Sequence, residues 1–152
     1  MSLDTTPLSR LAAQLGYLGL LPFVFGAALA WRETLPLPWL DPHMPLQAYA
    51  AVILGFMGAI HWGLAMHAEE PTPARVRQLL LSVVPSLVGW LGLLLPPIAG
   101  YPLLGLGFLV LLFAELRAAA FALVPAWYPG LRGPLTFGAL VSLAAAWAGV
   151  VI

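Results

Sequence analysis

Five long apolar stretches, separated by short turns rich in proline and glycine, constrain the fold of this chain more than any other feature of its sequence. A helix needs about 20 apolar residues to cross the hydrocarbon core of a bilayer, which is about 30 Å thick. We therefore predict an all-α, polytopic membrane protein, a single domain built as a compact bundle of five transmembrane helices. The predicted spans are 11–31, 46–67, 76–95, 102–124 and 134–152.

The composition supports a membrane location. Of the 152 residues, 62% are hydrophobic and 8% are charged, whereas an ordinary soluble domain is about 25% charged. A soluble domain of this size would present apolar side chains to water over most of its surface. The first stretch is longer than the apolar region of a secretory signal peptide, about 7 to 15 residues, so we expect it to be retained as a helix.

The charged and reactive residue types exclude several classes of function. Six basic and six acidic residues give a formal net charge of zero, which predicts no nucleic-acid partner. The sequence has no cysteine and no lysine, which excludes thiol catalysis, thiolate metal sites, Schiff-base chemistry and a P-loop lysine. His61 and His67 face different ways on one helix, and His43 lies in a loop. We therefore expect no metal and no cofactor.

The arginines predict the orientation of the bundle. Positive residues favour the cytoplasmic side of a membrane protein. In the predicted topology, Arg32 is the one arginine on the side opposite the amino terminus. We therefore predict a cytoplasmic amino terminus and a periplasmic carboxyl terminus. Arginines near the cytoplasmic boundary are expected to contact lipid head groups. The turns on the amino-terminal side carry Arg10, Arg75, Arg77 and Arg132, and the head-group contacts are predicted for Arg75, Arg77, Arg117 and Arg132.

Polar residues of the spans fall at one depth. At about 1.5 Å of rise per residue, they lie within about 12 Å of the cytoplasmic end of each span. Polar groups at membrane depth normally face the protein interior and pair with one another. We therefore predict an internal polar site or cavity to which all five spans contribute. Its members are Gln14, Tyr17, His61, Ser82, Ser86, Glu115, Thr136 and Ser142.

His61 and Glu115 are predicted to meet within this layer. The second and fourth spans run parallel and carry the two residues at similar depths. Small residues beside each of them, such as Gly58 and Ala118, allow the two helices to approach closely. The pair is typical either of a structural hydrogen bond between helices or of a site that binds a ligand or handles protons.

Prolines and small residues predict kinks and close helix contacts. Pro22 and Pro85 lie inside the first and third spans, where each is expected to kink its helix. Small residues repeat every four positions in two spans, which favours close helix packing. These residues are Gly55, Ala59 and Gly63 in the second span, and Gly138, Ser142 and Ala146 in the fifth.

Four segments resemble the motifs of a bacterial domain-of-unknown-function family that also contains mitochondrial transmembrane protein 69. The segments are LGYLGLLPF (15–23), YAAVILGFMGAIHWGLAM (49–66), VVPSLVGW (83–90) and PAWYPGLRGPLT (125–136). The resemblance implies a small multi-pass protein of the bacterial inner membrane, and it carries no activity with it. The motif positions that it marks are His61, Trp62, Trp127, Tyr128, Arg132 and Thr136.

Three hypotheses about function follow. The first is a non-enzymatic membrane protein that binds lipid, a quinone-like small molecule or a membrane-protein partner through the polar layer, with self-association also compatible. The second is a small transporter or proton-coupled carrier that uses His61 and Glu115, although five helices do not divide into two equal inverted repeats. The third is a membrane-embedded enzyme that uses His61, Glu115 and Ser86.

Overall fold

The computed structural model of the chain describes residues 7–32, 39–67 and 72–152, and this part of the chain is helical without strands. The turns that connect the first predicted span to the second, and the second to the third, lie partly outside the described residues. The helices are α1 (Pro7–Leu18), α2 (Leu21–Leu29), α3 (Met44–Met66), α4 (Pro73–Leu81), α5 (Val84–Leu94), α6 (Pro97–Ala120) and α7 (Tyr128–Val151).

These helices form five spans that are long and apolar enough to cross a membrane, which confirms the predicted fold class. The first span consists of α1 and α2, and the third of α4 and α5. The second, fourth and fifth spans are the single helices α3, α6 and α7. Large apolar side chains, including Phe56, Phe113 and Phe137, cover the outer surface of the bundle, as lipid contact requires.

Prolines break two of the spans, as predicted. α1 ends at Leu18 just before Pro22, and α4 ends at Leu81 just before Pro85. A proline lacks the N–H that would continue the hydrogen-bond ladder, and its ring clashes with the preceding turn. At the first break the hydroxyl of Tyr49 donates to the carbonyl oxygen of Gly19 at 2.9 Å, so this backbone group is paired inside the membrane region.

The last two spans begin earlier than the sequence suggests. α6 begins at Pro97 and α7 at Tyr128, so Pro102 and Pro134 lie inside helices and do not mark their starts. Pro102 leaves the carbonyl oxygen of Ile98 without its helical N–H partner. The indole Nε1 of Trp147 donates to this oxygen at 3.0 Å, which compensates for the missing bond.

α3 and α6 lie at the centre of the helix packing. α7 packs against α1, α2 and α6, whereas α6 packs against α3, α5 and α7, and α3 packs against α2, α4, α5 and α6. The core between them is apolar and is formed largely by aromatic and leucine side chains. Its fully buried large apolar members are Leu46, Leu54, Tyr101, Leu104 and Phe108.

Glycines determine how closely α3 approaches the third span, but only some of the predicted small residues lie at this contact. A Cβ on Gly58 would lie against the backbone oxygen of Ser82, and one on Gly89 would lie 2.8 Å from the backbone oxygen of Ala51. Ala59 is exposed, and a Cβ on Gly63 would meet nothing within 4 Å. A Cβ on Gly55 would lie 3.4 Å from Oγ of Ser86. The predicted close contact is therefore present at Gly55 but not at Ala59 or Gly63, because the face with Gly55 and Gly58, and not that with Gly63, turns toward the third span.

Candidate functional site

The carboxylate of Glu115 is the centre of a buried polar cluster. Glu115 is 0% exposed. Its Oε2 accepts a hydrogen bond from Nε of Arg132 at 2.7 Å, and its Oε1 accepts one from the hydroxyl of Tyr128 at 2.9 Å. The Arg132 side chain is 5% exposed, so this is an ion pair almost fully removed from solvent. It joins α6 to α7.

The helical spacing of α7 explains how these groups converge. Tyr128, Arg132 and Thr136 are four residues apart, which places them on one face of a helix. From the sequence, Arg132 was predicted to lie in a loop and to contact lipid head groups. That prediction is wrong because α7 begins at Tyr128, so Arg132 is already one turn inside the helix and points into the bundle.

His61 also approaches the carboxylate of Glu115. Its Nε2 is 3.7 Å from Oε1 of Glu115, so the predicted approach of these two residues is present, at a distance longer than a hydrogen bond. The other ring nitrogen, Nδ1, is 3.1 Å from Nε2 of Gln78. Gln78 was not singled out in the sequence, although an amide inside an apolar span requires a partner.

Arg75 fixes the orientation of this amide. Its Nη1 donates to Oε1 of Gln78 at 3.0 Å, and because a guanidinium has donors only, the amide oxygen must face Arg75. The amide nitrogen of Gln78 then donates to Nδ1 of His61, which places the ring proton on Nε2, facing Glu115. A chain of contacts therefore runs from Arg75 through Gln78 and His61 to Glu115.

Arg75 has an internal structural role in addition to this contact. Its Nη1 also donates to the carbonyl oxygen of Leu123 at 3.1 Å and lies 3.5 Å from that of Leu64. These bonds tie α4 to the end of α3 and to the turn after α6, while the head-group contact of Arg75 stays a prediction. Arg77 and Arg117 are exposed, as a contact with head groups requires.

The structure brings only part of the predicted polar layer into this cluster. Gln14, Tyr17 and Ser86 are exposed, so the expectation that every span contributes does not hold for α1. Ser82 and Ser142 are buried, but each hydroxyl donates to a carbonyl oxygen of its own span, at 2.6 and 3.0 Å. Intrahelical bonding satisfies such hydroxyls without a partner helix.

The tryptophans marked by the motifs lie outside the cluster. Trp62 is 46% exposed on the outer surface of α3. Trp127 caps the start of α7, and its ring packs edge-on against that of Tyr128 at a centroid distance of 6.0 Å. It therefore supports the hydroxyl that reaches Glu115.

A cavity of about 410 Å³ lies on the Arg132 side of the cluster. We call it the aromatic pocket, because six aromatic rings line it together with Arg132 and Thr136. α1, α2, α3, α6 and α7 all contribute to its walls. Pockets for small molecules in proteins enclose about 300 to 1,000 Å³ and combine apolar walls with few polar groups. The six rings belong to Phe23, Tyr49, Phe56, Phe108, Trp127 and Tyr128.

A second cavity, of about 490 Å³, lies on the His61 side, between α4 and α6. We call it the arginine cleft, because Arg77 and Arg117 line it together with His61, Gln78 and Ser82. The Glu115 cluster thus stands between two cavities: His61 borders the arginine cleft, whereas Tyr128 and Arg132 border the aromatic pocket.

Three buried polar atoms near the cluster have no hydrogen-bond partner among the described residues. They are Nε2 of His61, Nη2 of Arg132 and Oγ1 of Thr136. An unpaired polar atom in a buried place is costly and uncommon. Arg132 and Thr136 both line the aromatic pocket, so two of these unpaired donors belong to side chains in its wall.

Comparison with known proteins gives the family. The sequence profile of a family described as a protein of unknown function, DUF3429, matches residues 8–148. The chain belongs to this family. It is also 34% identical over 136 residues to transmembrane protein 69 of Xenopus tropicalis. No solved structure matches the chain.

The match to the frog protein covers 87% of this chain and 51% of the relative, so the chain spans about half of that protein's length. Both comparisons agree with an integral, multi-pass helical membrane protein, and the resemblance inferred from the four motifs is confirmed. The residues matched by the DUF3429 profile include Glu115, its partners Tyr128 and Arg132, and His61.

Proposed function

We propose that this member of the DUF3429 family binds a neutral, lipophilic small molecule with a hydrogen-bond acceptor, such as a quinone, in the aromatic pocket. The observation that carries the proposal is the pair of donors without partners among the described residues, Nη2 of Arg132 and Oγ1 of Thr136, in a pocket that is otherwise apolar. A carbonyl oxygen of the ligand would supply the kind of acceptor that these two donors lack.

The charge of the pocket favours a neutral ligand. The positive charge of Arg132 is already balanced by Glu115 at 2.7 Å, so the site offers donors without an unbalanced charge. An anionic group in this place would lose its hydration without gaining a free cation in return. The surrounding aromatic side chains favour a flat ring, because stacked and edge-on contacts of rings are stabilising.

Thr136→Val gives the sharpest test. Thr136 is 1% exposed and its hydroxyl has no partner among the described residues, so its removal is expected to leave the protein equally stable or more stable. The loss of one hydrogen bond to the ligand, about 1 kcal/mol, is expected to weaken binding of a short-chain benzoquinone about fivefold. Ligand-induced stabilisation of the purified protein in detergent would measure both effects.

Three further variants complete the test. Ser142→Ala removes a hydroxyl from the same helix outside the pocket, and its affinity for the quinone is expected to equal that of the wild type. Ala12→Phe places a ring in the pocket and is expected to abolish binding, whereas Ala13→Phe is its control, since Ala13 does not line the pocket. Equal affinities of Thr136→Val, Ala12→Phe and the wild type would disprove the proposal.

Mass spectrometry of the protein extracted in mild detergent identifies the natural occupant. We expect a neutral lipophilic molecule that is retained by the wild type and depleted in Ala12→Phe. A co-purifying membrane protein without such a molecule would favour the alternative of a protein partner.

The structure favours binding over proton transport. A proton relay needs a carboxylate that is free to gain and lose its proton, and Glu115 is held by both Arg132 and Tyr128. Ser86, the third member of the enzyme hypothesis, is exposed and lies outside the cluster. We therefore prefer the hypothesis of a binding protein to those of a carrier and an enzyme.

We further propose that the chain resides in a bacterial inner membrane with its amino terminus in the cytoplasm. The absence of cysteine permits single-cysteine labelling. In intact cells, a membrane-impermeant maleimide is expected to label Ile152→Cys but to label Met66→Cys only after the membrane is opened, since these exposed residues lie at opposite ends of the bundle. The reverse labelling pattern would contradict the proposed orientation.

A further inference from the structure

The arginine cleft results from the break between α4 and α5 in the third span. α4 ends at Leu81 and α5 begins at Val84, and α4 packs mainly against α3. α5 packs against α6, but α4 does not pack closely against α6. A gap of about 490 Å³ therefore remains between α4 and α6. His61 of α3 lies at the inner wall of this gap.

The cleft carries positive charge that the described residues do not balance. Arg77 and Arg117 both line it, and neither guanidinium has a hydrogen-bond or ion-pair partner within 7–32, 39–67 and 72–152. The lining contains no carboxylate. Glu115, the nearest acid in the cluster, is already paired with Arg132. This cleft therefore differs from the aromatic pocket, where the cation is neutralised.

The remaining walls of the cleft have a polar part and an apolar part, as a site for an amphiphilic molecule requires. His61, Gln78 and Ser82 supply polar atoms at the inner wall, while Leu81, Leu111 and Phe121 supply an apolar lining. The cleft lies where α4 begins and α6 ends, which is the depth of lipid head groups for helices of this length. Guanidinium groups bind phosphate oxygens through pairs of parallel hydrogen bonds.

We propose that the arginine cleft is a binding site for a phosphate group, held by Arg77 and Arg117. The apolar lining and the depth of the cleft fit a phosphate carried on an apolar chain, as in an anionic phospholipid. The inference does not depend on the ligand of the aromatic pocket, since the two cavities lie on different sides of the Glu115 cluster and share no lining residue.

The test uses the full-length protein, delipidated in detergent, and native mass spectrometry. The wild type is expected to retain a short-chain phosphatidylglycerol in preference to phosphatidylcholine. The double variant Arg77→Gln/Arg117→Gln is expected to retain phosphatidylglycerol about tenfold less, because two charge-assisted contacts are removed. Arg32→Gln removes the same charge from an exposed site at the opposite end of the bundle and is expected to retain the lipid as the wild type does.

Further controls separate the site from general effects of charge and folding. Arg77→Lys/Arg117→Lys keeps the charge but loses the paired donors, so partial recovery of lipid retention is expected. Since both arginines are exposed, the Tm of the double glutamine variant is expected to match that of the wild type. Thr136→Val is expected to leave lipid retention unchanged, and the arginine variants to leave quinone binding unchanged.

Competition with inorganic phosphate identifies the source of the phosphate group. If phosphate displaces phosphatidylglycerol from the wild type, the site accepts soluble phosphate compounds; if it does not, the lipid is the ligand. Equal retention of the lipid by the wild type and by Arg77→Gln/Arg117→Gln would overturn the proposal, as would equal retention of phosphatidylglycerol and phosphatidylcholine.

Discussion

Nε of Arg132 lies 2.7 Å from Oε2 of Glu115, and neither side chain is more than 5% exposed. This ion pair joins α6 to α7 next to the hydroxyl of Tyr128. Breaking a buried pair by removing one partner leaves an uncompensated charge, whereas replacing both partners by apolar residues of similar size is often neutral. We therefore expect a single substitution in this pair to be more destabilising than the substitution of both residues.

Arg132→Met alone is expected to lower the free energy of unfolding by about 3 to 5 kcal/mol, because Glu115 is then left buried and charged. Glu115→Leu/Arg132→Met is expected to recover most of this loss. Thermal unfolding of both variants in detergent measures the difference. If the double variant is as unstable as the single one, the ion pair is not the origin of the effect.

Gly58→Ala and Gly63→Ala are expected to have opposite effects, although both lie in α3. A Cβ on Gly58 would overlap the backbone oxygen of Ser82, whereas a Cβ on Gly63 would meet nothing within 4 Å. Gly58→Ala should therefore lower the Tm by forcing α3 away from the third span. Gly63→Ala should raise stability by about 0.5 to 1 kcal/mol, because alanine favours the helix. Similar Tm values for the two variants would contradict the packing described for α3.

Ala122→Gly is expected to stabilise the protein. Ala122 has a φ of 53°, in the left-handed region, at the turn that follows α6. This conformation costs a residue with a side chain about 1 to 2 kcal/mol, but not glycine. Since glycine also loses more entropy on folding, we expect a net gain of about 0.5 to 1 kcal/mol in thermal or denaturant unfolding. Ala119→Gly, inside α6, is the control and should lower stability.

His61 is expected to carry its proton on Nε2. The tautomer follows from Gln78, whose amide is oriented by Arg75 at 3.0 Å. Nitrogen-15 chemical shifts of the neutral imidazole distinguish the two tautomers. Gln78→Leu should produce a mixture of tautomers at His61, and Arg77→Gln, one residue away in sequence, should not. Detection of the Nδ1–H form in the wild type would contradict the orientation of the amide.

Vesicles that contain the protein are expected to conduct protons no faster than protein-free vesicles. The carboxylate of Glu115 is fixed by two donors, which opposes a relay. His61→Ala and Glu115→Gln are therefore expected to leave the flux unchanged, while a protonophore serves as the positive control. Proton flux that is present in the wild type and lost in both variants would favour the carrier.

Much of the architecture is readable from local sequence. The number of spans, their order and the two breaks before Pro22 and Pro85 all follow from apolar length and from the chemistry of proline. The similar depth of His61 and Glu115 also follows, because depth along a helix is set by the residue count alone. These properties do not depend on how the helices rotate about their axes.

The partners of Glu115 were not readable in the same way. Arg132 and Tyr128 belong to a segment whose prolines and glycines are typical of a loop, so the sequence predicts them outside the last helix. Their spacing of four residues was the available signal, together with the need of a buried carboxylate for a cation. No comparable spacing or charge pairing pointed to Gln78 in the sequence. Its role depends on Arg75 and His61, which lie on two different helices.

By itself the sequence determined that this chain crosses a membrane five times and gathers polar groups toward one end. The tertiary structure decided which polar groups meet, and that Arg132 is neutralised while Arg77 and Arg117 are not paired within the described residues. The physical reason is that burial in lipid depends on the apolar length of each segment, whereas pairing depends on where each helix begins, how it is rotated, and which neighbours leave a cavity beside it.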